Sequence, residues 1–475
     1  MPTKRILKSY NTATLVLFCC LWNCYMGFGQ RADNIRAANM LKPKHPMAIA
    51  ESNKSADQVK PRQPMKPKPQ PPSQQTQLNT TINNSDRSTY KGEIKNNNYE
   101  GRGKITFDNG DSYEGQWDGS VYAGQGTFIW KTNNARYEGN WVNGLREGRG
   151  TFYFSDGAVY VGQWKNDKPD GEGKQHSKDL REHYEGTWKN GKRNGHGTGT
   201  FGDGAVYTGD FADNALTGKG KMTFPNGDIY DGDWVNGESQ GTGTMTNADN
   251  GQVYNGDWKK SKREGNGTLT YQNGDNYVGQ WANDDRNGNG TFEWLSNKNF
   301  SKYEGEWTSG RRNGHGKCWL TNGDIYDGNW VDDRPEGVGD LYFKDGQYHG
   351  RWHMGEKEGT GTCKYADGSY YTGSWSHGQR NGQGRLTWDG GQYYDGNWKD
   401  GKQDGRGTEI SFDGQYVGMW KDGKKNGVGT YTNLSGNKCV YEGEWKDDLR
   451  HGHGKLTCPD GKTFEGEWMN DEPMK

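Results

Sequence analysis

The stretch Tyr303-Glu304-Gly305-Glu306-Trp307, followed by Gly314-His315-Gly316, decides the fold. It reads Tyr-x-Gly-x-Trp, and its Gly-x-Gly begins eleven residues after the tyrosine. The pattern starts at Tyr90, Tyr113, Tyr137, Tyr160, Tyr184, Tyr207, Tyr230, Tyr254, Tyr277, Tyr303, Tyr326, Tyr348, Tyr371, Tyr394, Tyr416, Tyr441 and Phe464, seventeen units in all. Three units depart from it: Ile94 and Phe211 stand where others have Trp, and Phe464 where others have Tyr. A fixed period of this length marks a quasi-one-dimensional array, and degenerate terminal units fit a capping role.

Spacing within the unit separates two kinds of connection. The offset from Tyr to the first Gly of Gly-x-Gly is eleven in all sixteen complete units, whereas the distance from that Gly to the next Tyr varies from 11 to 15. The insertions at 295–301 and 434–438 both fall in the variable part. A fixed register closed by a variable turn is hairpin behaviour.

Counting the Tyr as position 0, alternation places positions 0, 2 and 4 on one strand face. On the second strand, positions 11 and 13 are Gly, and 15 and 17 are mostly apolar, as at Phe128 and Trp130 or Phe292 and Trp294. An antiparallel pairing in which positions sum to 15 sets Trp over the first Gly, Gly over the second and Tyr over position 15. Glycine weakens a strand, so its recurrence calls for close approach of rings to backbone. The opposite face carries an acidic residue after the Tyr in nine units: Glu114, Glu138, Glu185, Asp231, Glu304, Asp327, Asp395, Glu442 and Glu465. The fixed connections carry a base in nine: Arg146, Arg193, Arg263, Arg286, Arg312, Lys357, Arg380, Lys425 and Arg450. An acidic ladder beside a basic edge is expected, either as a binding strip or as a solvated surface that guards against aggregation.

Composition agrees with an array and not with ordinary globular domains. Hydrophobic residues are 29%, yet aromatics are 13% and there are 76 glycines. A conventional Leu/Ile/Val core is excluded, and the aromatic content argues against disorder. Residues 1–89 hold 13 Lys/Arg against 4 Asp/Glu, and the remainder holds 47 against 57. The array is mildly acidic, which is not the footprint of a nucleic-acid binder.

Lys4, Arg5 and Lys8 precede an apolar run from Leu15 to Phe28, with Gly27 and Gly29 before Gln30. A signal peptide, or an uncleaved signal anchor, is expected over 1–29. Both place the repeats outside a membrane, so the expected location is secreted, periplasmic or cell-surface, with a single-pass anchor as the alternative. Residues 30–89 are rich in Pro, Lys and Gln, including Lys66-Pro67-Lys68-Pro69-Gln70-Pro71-Pro72, and read as a disordered linker, a tether or a docking peptide. The array itself is expected over 90–475.

The repeat resembles the MORN repeat (membrane occupation and recognition nexus), and the resemblance covers residues 90–468. It implies an all-β fold: one hairpin per unit, stacked into an elongated single-layer antiparallel sheet. With ~4.8 Å between strands, about 33 strands would run on the order of 160 Å. It also implies a non-catalytic rod, dimerisation module or peptide-binding surface. Some members add a lipid-kinase or lysine-methyltransferase domain, and this sequence has no stretch left for either.

Little else carries chemistry. Cys318 and Cys363 lie two units apart, too far to bridge. Cys439 and Cys458 occupy positions −2 and 17 of one unit, directly opposite in the expected register. They form either a cross-strand disulfide in an exported protein or two reduced thiols. His451 and His453 lack a third ligand, so no metal site is expected, and no cofactor or catalytic residue is assigned. The expected function is a non-catalytic scaffold for a protein or peptide partner, or a second copy, outside a membrane. Its candidate partner-binding face is the ring set Tyr277, Trp281, Tyr303, Trp307, Tyr326 and Trp330, unless those rings only staple hairpins together. The alternative is membrane-surface or lipid-associated tethering through the basic linker and the basic loop edge.

Overall fold

The computed structural model describes residues 60–66 and 76–474. The expected signal segment and most of the expected linker lie outside the described residues. The fold is all-β, an antiparallel sheet of 35 strands in hairpin repeats, without helix among the described residues. The contacts divide the chain into two compact units. One runs to Gln272 and takes in Trp281–Asp284; the other comprises Asn273–Gln280 and the residues from Asp285 onward.

The N-terminal unit begins earlier than the repeat does. Gln77–Asn83, inside the expected linker, is a strand and pairs with Thr89–Lys95, setting Ile82 opposite Tyr90. Its Thr-Thr-Ile sequence suits a strand, and it covers an edge that the first repeat would otherwise leave unpaired.

The repeat hairpin is well seen in the C-terminal unit, where Phe300–Thr308 pairs with Arg311–Leu320. Thr308 faces Arg311 across the two-residue turn Ser309-Gly310, whose φ values are 49° and 80°. Two consecutive positive φ angles make this a type I′ turn, the form that matches strand twist in two-residue hairpins. It explains the constant first connection.

The expected register holds in two of its three pairs. Tyr303 faces Cys318 and Gly305 faces Gly316, but Trp307 faces Arg312 instead of Gly314. The ladder slips between them, so Glu306 stands against Asn313, Gly314 and His315. Gly314 adopts φ 93° and pairs with Trp330 of the next repeat. The two glycines of Gly-x-Gly therefore do different things. The first takes the left-handed conformation of a bulge. The second makes room for a ring: a Cβ on Gly316 would lie 2.2 Å from the Tyr303 hydroxyl.

A bulge frees backbone groups, and buried ones need partners. Here the repeat supplies them. Tyr303 Oη donates to the Glu306 carbonyl at 3.0 Å, and the Glu306 carboxylate accepts from the His315 amide at 3.0 Å. The same exchange recurs in the N-terminal unit, where Tyr113 donates to the Gln116 carbonyl and Gln116 accepts from the Gln125 amide.

The core is a file of rings. Tyr303 meets Trp307 of its own repeat edge-on at 5.2 Å and Trp330 of the next at 5.4 Å. Tyr137 does the same with Trp141 and Trp164, both at 5.1 Å. Edge-to-face pairs of this kind contribute about 0.5–1.5 kcal/mol each beyond area burial. The Trp also reaches back, as in Trp330 Nε1 to the Gly316 carbonyl at 2.9 Å and Trp164 Nε1 to the Gly150 carbonyl at 3.2 Å.

Candidate functional site

The six rings expected to form an open partner face are core residues. Tyr277 and Tyr303 are 0% exposed, Trp330 2%, Trp307 and Tyr326 3%, and Trp281 5%. The neighbouring rings cover each of them, and the bases at position 9 lie over all but Tyr326, whose repeat has Pro335 there, so the ring side offers no open aromatic patch at these positions.

The expected basic edge closes inward for the same reason. All nine tip residues are buried or half-buried, with Arg146, Arg193, Arg263 and Arg312 the buried ones. The Arg312 guanidinium lies 4.4 Å over the Trp330 ring and donates to the Asp333 carboxylate and carbonyl, both at 3.0 Å. Arg146 repeats this over Trp164 with Asp167, and Arg450 over Trp468 with Asp471. An arginine fork suits such a clamp because planar stacking and several donors act together. Burial pulls the Arg193 guanidinium down to about 10, still charged at neutral pH. The Asp at position 7 was not singled out from the sequence; its recurrence 21 residues after the Arg was the available signal.

The expected acidic ladder is paired and solvated. Glu114 meets Lys104 at 3.0 Å, Glu185 meets Lys174 at 2.6 Å and Glu465 meets Lys455 at 3.1 Å, each across neighbouring strands. Exposed pairs like these contribute little stability, about 0–1 kcal/mol each. Their effect is to balance the charge of the polar face.

What the polar face of the N-terminal unit does form is a groove of about 1320 Å³. Its floor is a line of facing glycines crossing successive strands: Gly92, Gly103, Gly115, Gly126, Gly139, Gly150, Gly162 and Gly173. A Cβ on any of them would point at a tyrosine on the ring side, so the floor is bare peptide. The walls carry both charges, with Lys91, Arg102, Lys104, Arg149 and Lys174 against Glu114, Glu138, Glu172 and Glu185. Sequence alternation predicted the polar face. It did not predict that this face would be concave, because curvature follows from accumulated twist and bulges.

Cys439 and Cys458 are joined by a disulfide, with their Cα atoms 4.1 Å apart, next to the facing pair Val440 and Thr457. Cys318 and Cys363 are buried and outside the disulfide, and burial raises the Cys318 thiol to about 11. Among the described residues no cluster of three or more His, Cys, Asp or Glu is arranged to hold a metal.

Comparison with known proteins adds a family. The model of the MORN repeat matches sixteen segments, from residues 90–112 to 441–463, leaving the seventeenth unit at Phe464 unmatched. No curated protein matches the chain. Among solved structures it is similar to the Drosophila melanogaster SAS-4 (dCPAP) TCP domain, solved in complex with a proline-rich motif of Ana2 (dSTIL). That likeness has 16% identity, 43% of this chain and 90% of the other covered, and a TM-score of 0.18. It is also similar to the Danio rerio CPAP TCP10 domain, solved in complex with a STIL peptide, at 12% identity, with 66% and 96% covered and a TM-score of 0.11. The repeat register, its glycines and its ring file are this chain's own evidence, and with sixteen matched segments the chain belongs to the MORN repeat family.

Proposed function

We propose that the protein is a non-catalytic repeat scaffold that binds a protein or peptide partner on the outer side of a membrane. The observation that carries the reading is the groove of the N-terminal unit, with its peptide floor and two-signed walls. Walls of mixed charge suit a polypeptide and not a polyanion. The Cys439–Cys458 bridge supports an exported location, because disulfides persist in oxidising compartments. Membrane tethering, the second reading, rests on the excess base of residues 1–89, since the tip bases are engaged within the array.

The test compares the full chain with Arg102→Glu/Arg149→Glu in pull-downs from the native extract, with light scattering to detect self-association. Both residues line the groove, and both side chains face away from the ring core. The scaffold reading expects a partner held by the natural chain and lost from the variant at unchanged melting temperature. Identical retention by both proteins would remove the groove from the account.

A further inference from the structure

The expected linker holds a segment that is not loose. Lys60–Lys66, Lys-Pro-Arg-Gln-Pro-Met-Lys, lies on the ring-bearing side of the N-terminal unit with Pro61 buried. Tyr122 Oη donates to the Arg62 carbonyl at 2.6 Å, and Trp130 Nε1 reaches the Lys60 carbonyl at 3.5 Å. Arg62 pairs with Asp108 at 2.6 Å, its guanidinium 5.3 Å from the Phe107 ring centre. Gln63 Nε2 donates to the Gly144 carbonyl at 2.8 Å. The segment thus bridges three successive repeats.

Position 9 is a base in nine repeats, where it reaches toward the next ring; in the second repeat it is Tyr122, whose hydroxyl is turned to the segment. Phe107 and Trp130 both occupy position 17, one repeat apart; Phe107 lies by the Arg62 guanidinium and Trp130 reaches the Lys60 carbonyl. Aromatic side chains that aim a hydroxyl and an indole N–H at peptide carbonyls suit a proline-containing chain. Proline offers a rigid apolar face, keeps the preceding residue extended and lowers the ordering cost of docking. Asp108 adds a requirement for a base, and the Arg62 hydrogen bond holds its carboxyl below the usual range.

We propose that Phe107, Asp108, Tyr122, Trp130 and Gly144 form a recognition site for an extended Pro-Arg peptide, with Lys60–Lys66 as its own cis occupant. The segment acts as a removable plug. A partner peptide with the same Pro-Arg pattern enters only against the tethered copy, whose short connection gives it an effective concentration of roughly millimolar. None of these five residues lines the groove, so failure of this proposal and failure of the groove reading are separate results.

The test uses the full chain and a fluorescein-labelled peptide of residues 60–66, read by anisotropy. Pro61→Gly/Arg62→Ala vacates the site from outside the sheet, and melting checks that the fold is kept. The plugged natural chain should bind the peptide at least ~10-fold more weakly than this variant. Adding Asp108→Ala or Tyr122→Phe to the vacated variant should weaken binding again by ~10-fold, since each removes one peptide contact. Equal binding by the plugged and vacated chains would overturn the cis occupancy. Binding indifferent to Asp108→Ala and Tyr122→Phe would overturn the site.

Discussion

Trp330 Nε1 donates to the carbonyl oxygen of Gly316 at 2.9 Å, across the boundary between two repeats. The indole thereby ties its own hairpin to the glycine over which the preceding tyrosine lies. Stability in such an array is a sum of repeat and interface contributions, and this bond belongs to the interface.

Trp330→Ala should therefore destabilise by about 3–5 kcal/mol, the usual cost of emptying a buried aromatic site. The loss should be local. Hydrogen exchange followed by mass spectrometry should show faster exchange in the repeats beginning at Tyr303 and Tyr326, with the repeats near Tyr90 unchanged. Uniform loss of protection throughout would contradict the repeat-by-repeat account.

Gly316→Ala puts a methyl group 2.2 Å from the Tyr303 hydroxyl and should cost about 1–3 kcal/mol through overpacking. Combining it with Tyr303→Leu, which removes the obstructing ring end, should cost less than the two single changes added together. Denaturant melts of the three variants measure that coupling. Strict additivity would mean that the ring and the glycine do not compete for the same space.

Arg312→Lys should lose about 1.5–3 kcal/mol even though the charge is kept. A lysine cannot place two fixed donors on the Asp333 carboxylate and carbonyl while lying flat on Trp330. A thermal melt indistinguishable from the natural protein would show that charge alone matters at the hairpin tips.

Alkaline stability should fall once pH passes 10. Burial raises the phenols of Tyr184, Tyr371 and Tyr441 from 10.0 to about 12, and those of Tyr303 and Tyr326 further. The unfolded chain then gives up protons that the folded chain retains. The stabilisation is complete below pH 10 and is lost as pH climbs toward the folded values. Melts from pH 8 to 12, with phenolate absorbance appearing only together with unfolding, check this. Early phenolate absorbance from a still-folded sheet would count against it.

Thiol chemistry should divide the cysteines. Digestion without reductant should yield one linked peptide pair, Cys439 with Cys458. Buried Cys318, its thiol raised to about 11, should resist iodoacetamide at neutral pH until the chain is unfolded. Rapid labelling of native Cys318 would mean that the ring file opens readily at that repeat.

The residue pattern alone determined the strands of the repeats, the constant hairpin and the facing of Gly305 with Gly316, because side-chain alternation and turn length are local. It also placed Cys439 opposite Cys458. It missed the strand Gln77–Asn83 and did not separate the two glycines of Gly-x-Gly. A glycine needed for positive φ, as at Gly314, and one needed for space, as at Gly316, are the same letter. The tertiary structure decided that Trp307 faces Arg312, that Arg312 stacks on Trp330, and that the rings from Tyr277 to Trp330 are covered. It alone curved the polar face into a groove and brought Pro61 onto the first repeats. These outcomes depend on bulge geometry, accumulated twist and contacts between residues far apart in the chain. Local spacing carries no information about any of the three.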